Sequence, residues 1–184
     1  MKKVLVPSTK LAMRYLLSHQ ESERLLFRPI QETDFEAWLP FFKSTIAMQH
    51  WPMGNLTIEE YAHQWYEKQW HRYKNNWGGM NALLLKGTTT LIGHAGLLTQ
   101  KIDNKIELEV AYSLLPNYWK KGYATEAALK CKNFAFEQGY CQKLVAIIAP
   151  NNTPSIAVAK RIGMKKEKRV LFQEVIADLY YIER

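Results

Sequence analysis

Residues 106–138, IELEVAYSLLPNYWKKGYATEAALKCKNFAFEQ, decide how the rest of the chain is arranged. Ile106–Leu115 is rich in β-branched, aromatic and aliphatic residues and predicts a strand. Pro116 lacks a ladder donor and ends it. Gly122 marks the turn into a helix. Apolar residues then recur at Ala127, Ala128, Cys131, Phe134 and Ala135, the spacing of one helical face. The first helical turn, Tyr123–Glu126, therefore aims its unpaired N–H groups and the positive end of its dipole back at the loop. Gly122 and Ala124 do not obstruct approach, and Lys120 and Lys121 add charge at the same place. The pattern suits a phosphate-bearing ligand held mainly by backbone amides.

The chain around this stretch is 184 residues long and 47% hydrophobic, enough for one domain with a real core. We divide it into an N-terminal extension, residues 1–22, and a single domain, residues 23–184. A formal net charge of +8 suits an anionic ligand such as a polyphosphorylated cofactor, or nucleic acid; a plain solubilising surface is the alternative. Two cysteines, Cys131 and Cys141, are too few for a secreted disulfide scaffold and fit a reducing, cytoplasmic compartment as buried small hydrophobes. The opening MKKVLVPSTK has only three apolar residues before Pro7 and does not read as a signal peptide. No run is long and apolar enough to predict a membrane span.

In chain order, Leu11–Ser18 fits either a short helix or a strand. Arg24–Arg28 predicts a strand stopped by Pro29, and Thr33 an N-cap ahead of a helix carrying Phe35, Trp38, Leu39 and Phe42. A loop holds His50, Trp51, Pro52, Gly54 and Asn55. Thr57 and Glu60 form a capping box that opens a helix to about Tyr73, and Asn75–Gly79 breaks it. Asn81–Lys86 and Leu91–Leu98 predict a hairpin, with Gly93 and Gly96 marking a bulge or a close approach. Lys143–Ala149 is a continuous apolar run, as in a strand buried on both faces. Thr153 as cap and Pro154 at the first position start a last helix, which Gly163 closes. Met164–Val170 and Val175–Tyr181 complete the set. The fold class expected is α/β: a mixed sheet of about seven strands with four helices on both faces.

These segments resemble the GNAT superfamily of acetyl-CoA-dependent N-acetyltransferases, and within it the bacterial ribosomal-protein N-terminal (alanine) acetyltransferases. ERLLFRPI followed by Asp34 matches the opening strand of that branch, LIGHAGL its hairpin strand, ELEVAYSLLPNYWKKGYATEAA its acetyl-CoA motif and NNTPSIAVAKRIGMKKE its second cofactor motif. The resemblance covers Glu23 to the end and implies a mostly antiparallel, twisted sheet with a splayed parallel central pair. Three departures stand out. Trp119 holds the first position of the pyrophosphate loop, as is common in this branch. Lys120 replaces its usual Gly and makes the loop more crowded and basic. Ala159 stands where many members place a Tyr general acid.

The resemblance implies acetyl-CoA as cofactor, with the pantetheine arm along backbone groups near Ser113 and Leu114. It implies that Lys120, Lys121, Gly122, Tyr123, Ala124 and Thr125 hold the pyrophosphate, and that Asn152 contacts the pantetheine. It places Ser155 near the thioester sulfur, where it protonates or hydrogen-bonds the leaving thiolate. Asn152 and Ser155 are equally good helix-capping types.

Strand alternation puts Glu107, Glu109, Ala111 and Ser113 on one face, and Glu109 matches the carboxylate of the branch's strand motif, making it the candidate base. Solvated or lysine-paired carboxylates are the structural alternative. An α-amine, with a pKa near ~8, is roughly a tenth neutral at pH 7, whereas a lysine amine near ~10.4 is almost wholly charged. A weak base therefore suffices for a protein N-terminus. His50, Trp51 and Met53 lie where this family builds its acceptor site. Trp38, Trp65, Trp70 and Trp77 are read as core, and His94 as packed.

No metal spacing, P-loop, G-x-G-x-x-G or G-x-S-x-G occurs. The expected activity is acetyl transfer to a protein N-terminal α-amine. A small amine, polyamine or antibiotic is the alternative acceptor. A non-catalytic RNA- or ribosome-binding module is the alternative class; both intact cofactor motifs and the lack of RNP-type aromatic strands argue against it. No membrane partner and no direct DNA binding are expected.

Overall fold

A computed structural model of the chain describes residues 14–51 and 53–184. Its elements are β1 (Leu25–Pro29), α1 (Phe35–Lys43), α2 (Thr45–Met48), α3 (Ile58–Lys74), β2 (Gly78–Leu85), β3 (Leu91–Ile102), β4 (Lys105–Leu114), α4 (Tyr123–Glu137), β5 (Lys143–Ile148), α5 (Thr153–Arg161), β6 (Lys165–Phe172) and β7 (Val175–Glu183). The seven strands form one sheet in the order β1-β2-β3-β4-β5-β7-β6. Every neighbouring pair is antiparallel except β4 and β5. That exception requires a crossover, which α4 supplies.

Helices cover both faces. Ala127, Ala128, Cys131 and Ala135 of α4 share a core with Leu108 and Val110 of β4 and with Val158 and Ala159 of α5. On the other face Trp38, Phe42, Trp65 and Tyr66 from α1 and α3 pack on Ala82, Leu91 and Leu98. Trp38 anchors this layer, stacking on Phe41 at 4.4 Å and meeting His94 edge-on at 4.3 Å. Cys131 is buried and Cys141 half-buried, both free.

The close approach expected at Gly93 and Gly96 is present. A Cβ on Gly96 would strike the Gly79 carbonyl, and one on Gly93 the Ser113 carbonyl. The capping box forms as read: Glu60 N–H donates to Thr57 Oγ1 at 3.2 Å and Thr57 N–H to Glu60 Oε2 at 2.8 Å.

Other local expectations need correction. Thr33 sits inside a short 3-10 turn and Asp34 is the residue preceding α1, because the Asp34 carboxylate is committed to Arg28 and to the Gln31 N–H. Asn152, not Thr153, caps α5, its Oδ1 accepting from Ser155 N–H at 3.2 Å. Trp77 is 47% exposed, resting against His71 rather than in the core. β3 runs on to Ile102 and turns through Asp103 and Asn104, both at positive φ, so β3 and β4 form one long hairpin. α2 is a single extra turn capped by Ser44. Of Leu11–Ser18, residues 11–13 lie outside the described residues, as does the opening decapeptide; residues 14–18 form a turn and coil, with Leu17 fully buried and its N–H donating to Asn81 Oδ1 at 3.1 Å.

Candidate active site

The site begins where the sheet fails to close. β4 and β5 pair only at Leu108↔Leu144 and Glu109↔Val145, then part. Leu115 N–H donates to Ile92 O on β3, so by alternation Val110, Tyr112 and Leu114 turn their main chain toward the gap. The indole of Trp119 donates to the Leu114 carbonyl at 2.7 Å, closing the far end of that edge and fixing the loop that follows.

That loop enters α4 through two left-handed residues, Lys120 at φ +60° and Gly122 at φ +85°. Glycine adopts this conformation without strain; lysine does not. The usual Gly at position 120 thus has a backbone reason, and Lys120 holds the same turn at a conformational cost. Glu126 N–H makes the first helical bond, to Gly122 O. The N–H groups of Gly122, Tyr123, Ala124 and Thr125 have no acceptor among the described residues.

A cluster just ahead of β1 braces the turn. Arg24 Nε meets Glu126 Oε2 at 2.7 Å, Arg24 Nη1 donates to Lys121 O at 3.1 Å, and its guanidinium lies 4.3 Å from the Tyr123 ring centre. Burial works to raise the Glu126 pKa, but hydrogen bonds from Ser22 and Arg24 outweigh it and hold the carboxylate below its ordinary value.

A cleft of about 630 Å³ runs along this region, lined by Ser113, Leu114, Lys120, Gly122, Tyr123, Ala124 and Thr125. A second cavity of about 510 Å³ lies on the other side of the strand gap and contains Glu109. The two share His50, Trp51, Tyr112, Asn152 and Ser155, so they meet at the N-terminus of α5. Tyr112 Oη donates to Ser155 O at 2.9 Å and ties β4 to α5 at that junction. Of the residues singled out in the sequence, Lys121 and Met53 line neither space; Lys121 instead sets its ammonium 5.4 Å from the Tyr118 ring centre.

Glu109 is 8% exposed, and burial pushes its carboxyl up to about 7. Gln100 Nε2, at 2.6 Å from Oε2, pulls in the opposite direction, as do Arg72, the Ile147 N–H and Lys68. Glu107 is instead near Lys143, 4.0 Å away. His94 is fully buried between Trp38 and Trp65; burial lowers its pKa to about 3, so it stays neutral.

Gln100, Lys68, Arg72, Tyr112 and Arg24 were not singled out in the sequence. Only for Gln100 was a signal available: continuing the β3 alternation past Leu98 puts it on the Glu109 face, a diagonal neighbour across the hairpin.

The family model for the acetyltransferase (GNAT) domain matches residues 24–165. The chain belongs to the GNAT acetyltransferase family. Within 81% of this GNAT chain, and 84% of the other, it is 30% identical to the uncharacterized N-acetyltransferase YnaD of Bacillus subtilis. A shorter match, 36% identical over 85 residues, links it to the uncharacterized protein YkkB of the same organism, of which it spans about half (49%). Its fold superposes with a TM-score of 0.71, at 15% identity and covering 90% of this chain and 97% of the other, on RimL, a ribosomal L7/L12 α-N-protein acetyltransferase solved in complex with coenzyme A.

This GNAT protein is accordingly an acetyl-CoA-dependent acetyltransferase on a mixed α/β fold. Its own residues fit that cofactor: the unengaged N–H groups at the start of α4, the absence of a Cβ at Gly122 and the open edge of β4 offer donors suited to a diphosphate and an amide-bearing arm. Among the described residues no helix is long and apolar enough to cross a membrane, and no group of three His, Cys, Asp or Glu could hold a metal ion.

Proposed function

We propose that the protein acetylates the α-amine of a polypeptide N-terminus, with Glu109 as the base. The observation that carries this reading is the junction of the two cavities: a carboxyl with a pKa of about 7 opens into the acceptor space, which meets the cofactor cleft at Asn152 and Ser155. A base of that strength is matched to an amine of pKa ~8 and poorly matched to a lysine amine near ~10.4. The fold likeness to RimL, itself an α-N-protein acetyltransferase, points the same way.

Acetyl-CoA supplies the activated acyl group. The amides of Gly122, Tyr123, Ala124 and Thr125 hold its pyrophosphate, with Lys120 and Lys121 adding charge. The main chain near Ser113 and Leu114 aligns the pantetheine, through Val110 and Tyr112 more than through Leu114, whose carbonyl Trp119 already engages. Asn152 keeps Oδ1 as the α5 cap, leaving its amide nitrogen for the pantetheine. Glu109 removes the proton that the amine sheds on attack, directly or through one water. Ser155, whose N–H and carbonyl are already occupied, directs its hydroxyl to the leaving sulfur. His50 and Trp51 wall the acceptor where the cavities meet, and Met53 sits outside that wall.

Thiol release from acetyl-CoA across a panel of peptides, polyamines and aminoglycosides tests the reading. Turnover confined to polyamines or aminoglycosides would remove the N-terminal acceptor. Two variants test the assigned roles. Ser155→Ala should lower kcat by ~10- to 100-fold, the worth of a hydrogen bond to a charged group, with coenzyme A affinity held within a few-fold; an unchanged kcat excludes the hydroxyl. Gln100→Leu removes a donor that stabilises the Glu109 carboxylate, so the acid limb of log kcat/KM should shift to higher pH. A limb that stays in place would mean another group titrates.

A further inference from the structure

The acceptor cavity holds more positive charge than an amine substrate calls for. α3 sets Lys68 and Arg72 one turn apart on the same side, and both line the cavity that contains Glu109. Arg72 is 7% exposed. Its Nη2 donates to the carbonyls of Trp77 at 3.1 Å and Thr99 at 2.6 Å, while its buried Nε meets no acceptor among the described residues. Lys68 stands exposed at the mouth. Among the described residues neither cation lies within ion-pair distance of a carboxylate. Desolvation lowers the pKa of both, and for Lys68 the neighbouring Arg72 charge lowers it further. Glu109 is the only carboxylate in the lining, and its titration near neutrality leaves the cavity net positive.

We infer that the acceptor is an acidic polypeptide N-terminus, with an Asp or Glu among its first residues whose carboxylate is received by Lys68 and Arg72. This rests on the N-terminal acetyltransferase reading and narrows it. A second cation on the acceptor would meet like charge in a partly desolvated space, which disfavours polyamines and lysine-rich segments. An anion a few bonds from the amine pairs with the exposed Lys68 ammonium, with the buried Arg72 charge behind it, and leaves the amine facing Glu109. Val175 and Ile176, at the tip of the β6–β7 hairpin, line the same cavity while remaining 42% and 57% exposed, so a chain can continue outward over an apolar rim.

The test uses the full chain, saturating acetyl-CoA and peptides of one length differing at a single early position: Asp, Asn or Lys, with free aspartic acid as a further acceptor. Rates are compared at one pH above the titration of Glu109. The Asp peptide should exceed the Asn peptide in kcat/KM by ~10-fold or more, the worth of one charged hydrogen bond, and the Lys peptide by more again. The Asp:Asn ratio should fall several-fold in Lys68→Gln, where the Arg72 charge remains, and fall further in Lys68→Glu, both exposed substitutions that spare the buried Arg72. As a ratio within each variant, it is insensitive to any change in the base. Equal rates for Asp and Asn in the unaltered protein, or a ratio that Lys68→Glu does not move, would overturn the inference and leave the N-terminal reading standing. Free aspartic acid used as well as the Asp peptide would overturn the polypeptide source. No turnover of any of the peptides would remove the N-terminal reading, and this inference with it.

Discussion

Glu109→Gln should reduce kcat at neutral pH by ~10²- to 10⁴-fold, the usual contribution of a positioned general base, without weakening coenzyme A binding. The carboxyl lies in the acceptor cavity, away from the diphosphate turn, so loss of the base is separable from loss of the cofactor. The same substitution should make the protein more stable above neutral pH. Folding raises this carboxyl from 4.5 to about 7, so between those values the native state holds a proton that the unfolded state has released. Stability therefore falls as pH rises through that window, and the full penalty, roughly 3 kcal/mol, is present above it. A neutral Gln removes the penalty. Denaturant titrations at low and high pH should show a gain confined to the high-pH arm. A variant that keeps its activity removes Glu109 from the mechanism. One that loses activity without the pH-dependent gain would show that its carboxyl is not held up by burial.

Gly122→Val should raise the dissociation constant for coenzyme A by about 100-fold. A β-branched residue at φ +85° costs on the order of 1–2 kcal/mol in backbone conformation, which the free loop escapes by leaving the turn and which binding must then restore. Its Cβ would stand 3.3 Å from Arg24 Nη2, so the brace that reaches Lys121 O must shift as well. The remaining loss comes from side-chain bulk over the free amides at the start of α4. Calorimetric titration measures the effect, with thermal unfolding as the control for a folded variant. Unaltered affinity would mean the diphosphate is bound elsewhere.

The turn before α4 was legible because its information is local: a proline stop, a glycine, and helical spacing that begins at a fixed residue. Glu109 was legible for the same reason, since alternation along one strand assigns its face. What escaped depends on partners distant in sequence. Gln100 reaches Glu109 only because the hairpin turns at Asp103–Asn104, two residues that carry positive φ without a glycine to announce it. Nothing in the spacing of Lys68 and Arg72 sets them apart; that they border a cavity is decided by where α3 lies over β3. Thr33 and Thr153 were reasonable caps by residue type; Thr33 is instead taken up in a 3-10 turn held by the Asp34 carboxylate on the Gln31 N–H, and Thr153 lost to the Asn152 amide. Trp77 shows the limit of treating aromatic residues as core, because it falls three residues past the helix end, on an exposed corner just ahead of β2.

The parting of β4 and β5 after two rungs has a consequence beyond catalysis. It leaves hydrogen-bonding edges in the middle of a sheet whose outer margins are the only ones a folded domain normally has to guard. Unfilled edges of this kind are templates for strands from other molecules. Occupancy by the acyl donor should therefore act as a guard against self-association, and preparations stripped of it should be the ones that precipitate first on warming.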